Sequence, residues 1–165
     1  MKTIYIIRHA KSDWDDPELH DIERPLADRG LKDAKTMASF FKHKDIMPDK
    51  MISSPALRAF TTCRIFCDII GYDKKEILVD PVLYFGNIAD IIKMLQSQES
   101  KLNSLCIFGH NPTFSLLANI LSDGFSGEMQ TCSIVALQFD IERWGLLETK
   151  AAKLLWFEHP KKIVK

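Results

Sequence analysis

Two arginines and two histidines stand out in this sequence by where they fall. Arg8 and His9 follow directly on the apolar run Ile4–Ile7 in "MKTIYIIRHAKSDW", Arg58 lies in "SSPALRAFTT", and His110 lies in "FGHNPTF". A guanidinium stays charged at any working pH and offers forked donors matched to phosphate oxygens. Imidazole is the one side chain whose unperturbed pKa sits near neutrality. A neutral imidazole can attack phosphorus, while a protonated one can steady the equatorial oxygens. Phosphoryl transfer asks chiefly for positioning and charge neutralisation, and this set supplies both without a metal. Each piece also has a plainer reading: Arg8-His9 as a strand meeting water, Arg58 as a solvated helix residue, His110 as an exposed turn residue. The coincidence of three such places in one short chain favours a site for a phosphate.

These side chains must be carried by elements that end close together. Lys2–Ile7 is predicted to be a buried strand, short and β-branched. Ser12–Arg24 has no apolar period and is predicted to be a loop, and Pro25–Gly30 a turn-rich lead into a helix over Leu31–Lys44. Leu31, Ala34, Ala38 and Phe41 give that helix its apolar face. Lys50–Ser53 is a second predicted strand. A helix should follow with Pro55 at its first position, running to Ile70 and stopping at Gly71. Ile77–Val79 and Leu105–Phe108 are further predicted strands, with a helix over Ala89–Leu95 between them. After Gly109–His110 a helix is predicted with Asn111 as N-cap, Pro112 at its first position and Gly124 beyond its end. Ser133–Phe139 and Lys153–Phe157 complete the strands. Strands alternating with helices imply an α/β fold, a three-layer α/β/α sandwich with a mostly parallel central sheet. In such sheets ligands bind outside the carboxyl ends of the strands, which is where Arg8-His9, Arg58 and His110 fall.

Composition narrows the function classes. The 165 residues are the length of one domain, 1–165, able to close a core without staples. Lys plus Arg and Asp plus Glu are 22 each, so no overall basic field exists to attract nucleic acid or a membrane. Cys63, Cys67, Cys106 and Cys132 suit a reducing compartment, and no second pair completes a zinc spacing. No apolar run has the length of a signal peptide or a membrane span. A cytoplasmic, metal-free and cofactor-free protein, monomeric by default, is the expectation.

The motifs together are more specific than any one of them. "RHA" after an apolar first strand, then "RPLADRG", "SSPALRAFTT" and "FGHNP", resemble in content and order the histidine phosphatase superfamily, the phosphoglycerate mutase-like RHG phosphatases. The chain is most similar to the small SixA-type phosphohistidine phosphatases of that superfamily, a likeness that extends to the closing "LLWFEHPKK". The resemblance implies that Arg8 and Arg58 bind phosphate, that His9 is the nucleophile and that His110 stabilises the transferring group. Ala10 replaces a commoner glycine, which costs little where φ is negative. Larger members carry a catalytic acid near the position aligned with Phe85, and this chain has none there. An alkoxide leaving group, whose conjugate acid has a pKa near that of water (about 15.7), needs a proton delivered. An imidazole, at about 6.5, needs little help. The missing acid therefore points to an N–P bond, with protein phosphohistidine as the expected substrate. If Asp80 or Asp90 reaches the pocket, sugar or acyl phosphates return as substrates.

Other readings remain at this level. A small-molecule phosphomonoesterase or mutase acting on a phosphorylated metabolite is the runner-up, and a non-catalytic phosphate-binding adaptor comes from a different class. A zinc hydrolase is disfavoured because neither His9 nor His110 has a partner ligand one helical turn away. Lys11 and Ser12 follow the nucleophile closely enough to touch a phosphate, or are merely solvated. Arg24 either borders the pocket or pairs with the acidic loop. "DWDDPELHD" lacks the sixth-position glycine and terminal glutamate of a calcium loop and is expected to be a mobile flap, with Trp14 over the pocket or against a partner. His20, His43 and His159 are expected at the surface, and Phe40, Phe41, Trp144 and Trp156 in the core.

Overall fold

The run Ile4–Ile7 is apolar at successive positions because the strand that holds it is covered on both faces. β1 (Lys2–Arg8) sends Ile4 and Ile6 into one hydrophobic cluster and Tyr5 and Ile7 into another on the opposite side. Ile4, Ile6 and Ile7 are fully buried, about 2 kcal/mol of transfer free energy each. The computed structural model describes residues 1–163. Its other strands are β2 (Lys50–Ser53), β3 (Leu78–Val79), β4 (Ser104–Gly109), β5 (Ile134–Phe139) and β6 (Lys153–Glu158). All six form one sheet in the order β3-β2-β4-β1-β5-β6. β1 to β4 run parallel, and the pairings of β1 with β5 and of β5 with β6 are antiparallel.

Helices cover both faces. α1 (Asp28–His43) and α2 (Leu57–Ile70) pack Ala34, Met37, Ala38 and Phe41 with Cys63, Phe66, Cys67 and Ile70 against Tyr5, Ile7, Cys106 and Phe108. The other face carries α3 (Val82–Phe85), α4 (Ile88–Gln96) and α5 (Thr113–Leu121), with Ile91, Leu95, Phe114 and Leu117 against Ile4, Ile6, Leu105 and Ile107. A last turn, α6 (Pro160–Ile163), returns to α1. This is the three-layer α/β/α arrangement expected from the alternation of elements. All four cysteines are free and buried, and burial pushes the thiols of Cys63, Cys106 and Cys132 up. Among the described residues no helix is long and apolar enough to cross a membrane.

Several boundaries differ from the sequence reading, each for a local reason. α1 starts at Asp28, so Gly30 is helical rather than a turn residue. A Cβ on Gly30 would run into the Lys11 carbonyl oxygen; glycine is there for a close approach. Pro55 lies outside α2, whose N-cap is Ala56, because the Ser54 hydroxyl accepts the Ala56 N–H and bends the chain before the helix. α5 starts at Thr113 after a cis Asn111–Pro112 bond. Asn111 still caps it from one residue further out, its Oδ1 accepting from the Ser115 N–H and hydroxyl. β3 is two residues long and exposed, and α3 had no apolar period long enough to announce it. Phe41 and Trp144 are fully buried, but Phe40 and Trp156 are only partly so and meet edge to face at 5.4 Å. His20 and His43 are exposed; His159 is partly buried beside Phe157.

Candidate active site

The sheet register brings the chemistry together. Arg8 of β1 lies opposite Gly109 of β4, and Ser53 of β2 opposite Phe108. The next residues along these strands, His9, His110 and Ser54, therefore emerge at one edge. Backbone hydrogen bonds fix the exit of β1: His9 N–H donates to the Gly109 carbonyl, Cys132 N–H to the His9 carbonyl, and Ala10 N–H to the Thr62 hydroxyl of α2. Cys132 holds that contact with φ at 59°, a backbone cost of about 1 kcal/mol that its neighbours must sustain. Ala10 is buried and is not among the positive-φ residues, so alanine fits there without strain.

A depression of about 320 Å³ opens at this edge, lined by Arg8, His9, Lys11, Ser12, Trp14, Asp21, Arg24, Arg58 and Thr131. Every residue proposed from sequence lines it except His110, which stands behind His9 with ring centroids 5.1 Å apart. Arg24 and Arg58 are buried, each 7% exposed, and Arg8 is half-buried. Arg58, in the first turn of α2, donates to the Asp21 carbonyl at 2.7 Å and to its carboxylate at 2.9 Å. Arg24 does both things the sequence left open. It lines the pocket, and it also donates to the Asp21 carboxylate at 2.9 Å and to the Asp13 carbonyl. Its guanidinium lies over the Trp14 ring at 3.1 Å and donates to the Ser12 hydroxyl. Ser12 is thereby tied to Arg24, while Lys11 is exposed.

The imidazoles have defined roles available to them. His9 Nδ1 lies 2.7 Å from the Ala10 carbonyl; a carbonyl only accepts, so Nδ1 carries the proton and Nε2 keeps a bare lone pair. Burial, followed by the neighbouring guanidiniums, holds the His9 pKa at about 4. Burial and the proximity of His9 bring His110 to about 3. Both rings are thus neutral at pH 7 in the free pocket, whereas the sequence suggested one protonated ring. A bound dianion beside His110 would favour the protonated form. His110 Nε2 lies 2.8 Å from the Ser54 hydroxyl, which serves a protonated or neutral nitrogen equally. Among the described residues, His110 Nδ1 and Arg8 Nε are buried polar atoms with no hydrogen-bond partner. Two of the three such atoms are therefore at this site.

The profile of the histidine phosphatase superfamily (branch 1) matches residues 4–83, the span holding Arg8, His9, Arg24 and Arg58. Over that span, just under half of its length, the chain is similar to the histidine phosphatase superfamily. It is 24% identical over 134 residues to the phosphohistidine phosphatase SixA of Escherichia coli, covering 81% of this chain and 82% of that one. An uncharacterised chloroplastic protein of Arabidopsis thaliana is 28% identical over 151 residues, covering 87% of this chain and 69% of its own. The structure of the protein histidine phosphatase SixA complexed with tungstate superposes with a TM-score of 0.83 at 23% identity. That match covers 96% of this chain and 97% of the other.

The position at which the sequence resemblance led one to look for an acid holds none. Phe85 is 75% exposed. Asp80 caps α3 through the Val82 N–H, and Asp90 forms the capping box of α4 with Asn87; neither lines the pocket. The carboxylate that does reach it is Asp21, from a 3-10 turn (Asp21–Glu23) in the acidic loop. Tyr84 of α3 donates to Asp21 at 2.6 Å and meets the His110 ring at 5.3 Å. The Tyr84 hydrogen bond and the Arg58 and Arg24 charges hold Asp21 at about 2, so it is ionised at neutral pH. Sequence reasoning missed Asp21, Ser54, Tyr84 and Thr131. Asp21 was one of six acids in its loop, and only its spacing three residues before Arg24 set it apart.

Proposed function

We infer that the chain is a phosphatase working through a covalent phosphohistidine on His9, without a metal, and that its substrate is phosphohistidine on a protein. The observation that carries this is the bare, neutral Nε2 of His9 in a pocket ringed by Arg8, Arg24 and Arg58. The guanidiniums hold the phosphoryl oxygens, and Nε2 attacks phosphorus as the P–N bond to the substrate ring breaks; that ring, protonated on its other nitrogen, leaves as neutral imidazole. His9 keeps its Nδ1 proton, so the phosphorylated ring is cationic and is a ready leaving group. Water then attacks phosphorus, its proton ends on phosphate, and Nε2 regains its lone pair. His110, protonated in the presence of the dianion, steadies the equatorial oxygens, with the Ser54 hydroxyl beside its Nε2.

The substrate class is supported by the lack of a protonated carboxyl group in the pocket, Asp21 being ionised. An imidazole leaves without such a group; an alkoxide does not. The similarity to SixA points the same way. With radiolabelled phosphoramidate, wild type should trap an acid-labile, alkali-stable phosphoenzyme, and His9→Ala should neither form it nor turn over. Turnover by His9→Ala at the parent rate would refute the mechanism. Faster hydrolysis of sugar phosphates than of a phosphohistidine peptide would refute the substrate class.

A further inference from the structure

The net charge of the chain is zero, yet the charge around the pocket is divided. On one side lies the acidic loop with Asp13, Asp15, Asp16 and Glu18. On the other, the pocket continues into a groove between α1 and the start of α6. Thr131 lines both the pocket and a neighbouring depression of about 180 Å³ bounded by Arg29, Asp33 and Lys161. Arg29, Asp33 and Lys161 also line the next depression, of about 300 Å³, which adds Lys32 and Thr36. Thr36 then borders a third, with Lys35. The groove thus runs from the phosphate pocket along α1.

Its cations are presented to solvent. Lys11, Arg29, Lys32, Lys35 and Lys161 are exposed. Asp33 is the one acid among the described residues lining these three depressions; its side chain is 16% exposed and already faces Arg29 at 3.5 Å. Of the four cations lining these depressions, Lys32, Lys35 and Lys161 are thus without a carboxylate across the groove, and Lys11 stands in the phosphate pocket where the groove opens. From Arg29 to Thr36 is two turns of α1, about 10 Å, which matches about three residues of extended chain. We propose that this basic groove docks an acidic segment of the substrate protein, next to the residue whose phosphoryl group enters the pocket. The proposal rests on the reading of the pocket as a phosphohistidine site. A concave strip opening into that pocket suits a peptide rather than a flat membrane, and the absence of an overall basic field argues against nucleic acid. Exposed charges of this kind act mainly on encounter and selectivity, and they are screened by salt.

The test compares wild type with the triple variant Lys32→Glu, Lys35→Glu, Lys161→Glu, whose altered residues are exposed and outside the pocket. Phosphoramidate turnover should be the same in both, which reports on the phosphatase reading alone. A glutamate-flanked phosphohistidine peptide should exceed its glutamine-flanked counterpart in kcat/KM for wild type by about tenfold, and the variant should lose that preference. Anisotropy of the unphosphorylated, fluorescently labelled glutamate peptide should show binding that weakens about tenfold in the variant and falls with added salt. Equal use of the two peptides by wild type, or peptide binding unchanged by charge reversal, overturns the proposal. Binding of phosphatidylserine vesicles or oligouridylate in place of the peptide overturns it as well. If wild type leaves phosphoramidate untouched, the phosphatase reading fails, and the anisotropy still decides the groove.

Discussion

Asp21 occupies the donors that a phosphate would need. Its carboxylate takes a hydrogen bond from Arg58 and another from Arg24, each at 2.9 Å, and a third from Tyr84 at 2.6 Å. The perturbation is Asp21→Asn, which keeps an acceptor oxygen and the side-chain shape but removes the charge. A phosphate dianion on the free edge of the Arg58 guanidinium would sit about 6 Å from the carboxylate. The Asp21 side chain is 51% exposed, so a water-like dielectric applies. Repulsion between one and two negative charges at that distance is then about 1.4 kcal/mol, about tenfold in affinity. Inhibition of phosphoramidate turnover by inorganic phosphate should therefore tighten about tenfold in Asp21→Asn. Thermal melting should fall only slightly, because half-exposed ion pairs contribute little to stability. An inhibition constant that stays the same, or rises, would refute the reasoning. Asp21 would then align Arg58 for the anion rather than compete with it.

His9 at about 4 and His110 at about 3 lie below the unfolded value of about 6.5, so between those limits the unfolded chain binds more protons. Stability should fall as pH drops from 6.5 toward 4, by at most about 2 kcal/mol per histidine at pH 5, and these two rings should contribute no slope above pH 7. Urea midpoints at pH 7 and pH 5 should differ less in a His9→Ala, His110→Ala double variant; an equal difference would sink the assignment. Gly30→Ala places a methyl group against the Lys11 carbonyl and should cost about 1–3 kcal/mol by overpacking. It should also lower kcat/KM by displacing Lys11 and Ser12, whereas Gly71→Ala, with nothing near its added Cβ, should leave turnover alone.

How much could be read in advance depended on the range of the interaction. Buried strands declare themselves by composition: Ile4–Ile7 and Leu105–Phe108 are apolar throughout because each is covered on both faces. The residues that end those strands, Arg8, His9 and His110, were legible as chemistry placed where an interior strand should have stopped. Helix starts were less legible. Gly30 and Pro55 read as punctuation, but Gly30 serves a contact with Lys11, and Pro55 belongs to a bend held by the Ser54 hydroxyl.

The layer architecture follows from local patterning, since a 2.0- or 3.6-residue apolar repeat can be buried in few ways, and the strand ends point to four residues around which a phosphate could be held. Tertiary structure alone decided which of six loop carboxylates faces that site, which serine holds His110, and that Tyr84 rather than Phe85 turns inward. Those choices depend on side chains meeting across distances of 37, 56 and 63 residues along the chain. No local pattern records such meetings, because each partner's own neighbourhood is consistent with an ordinary surface residue.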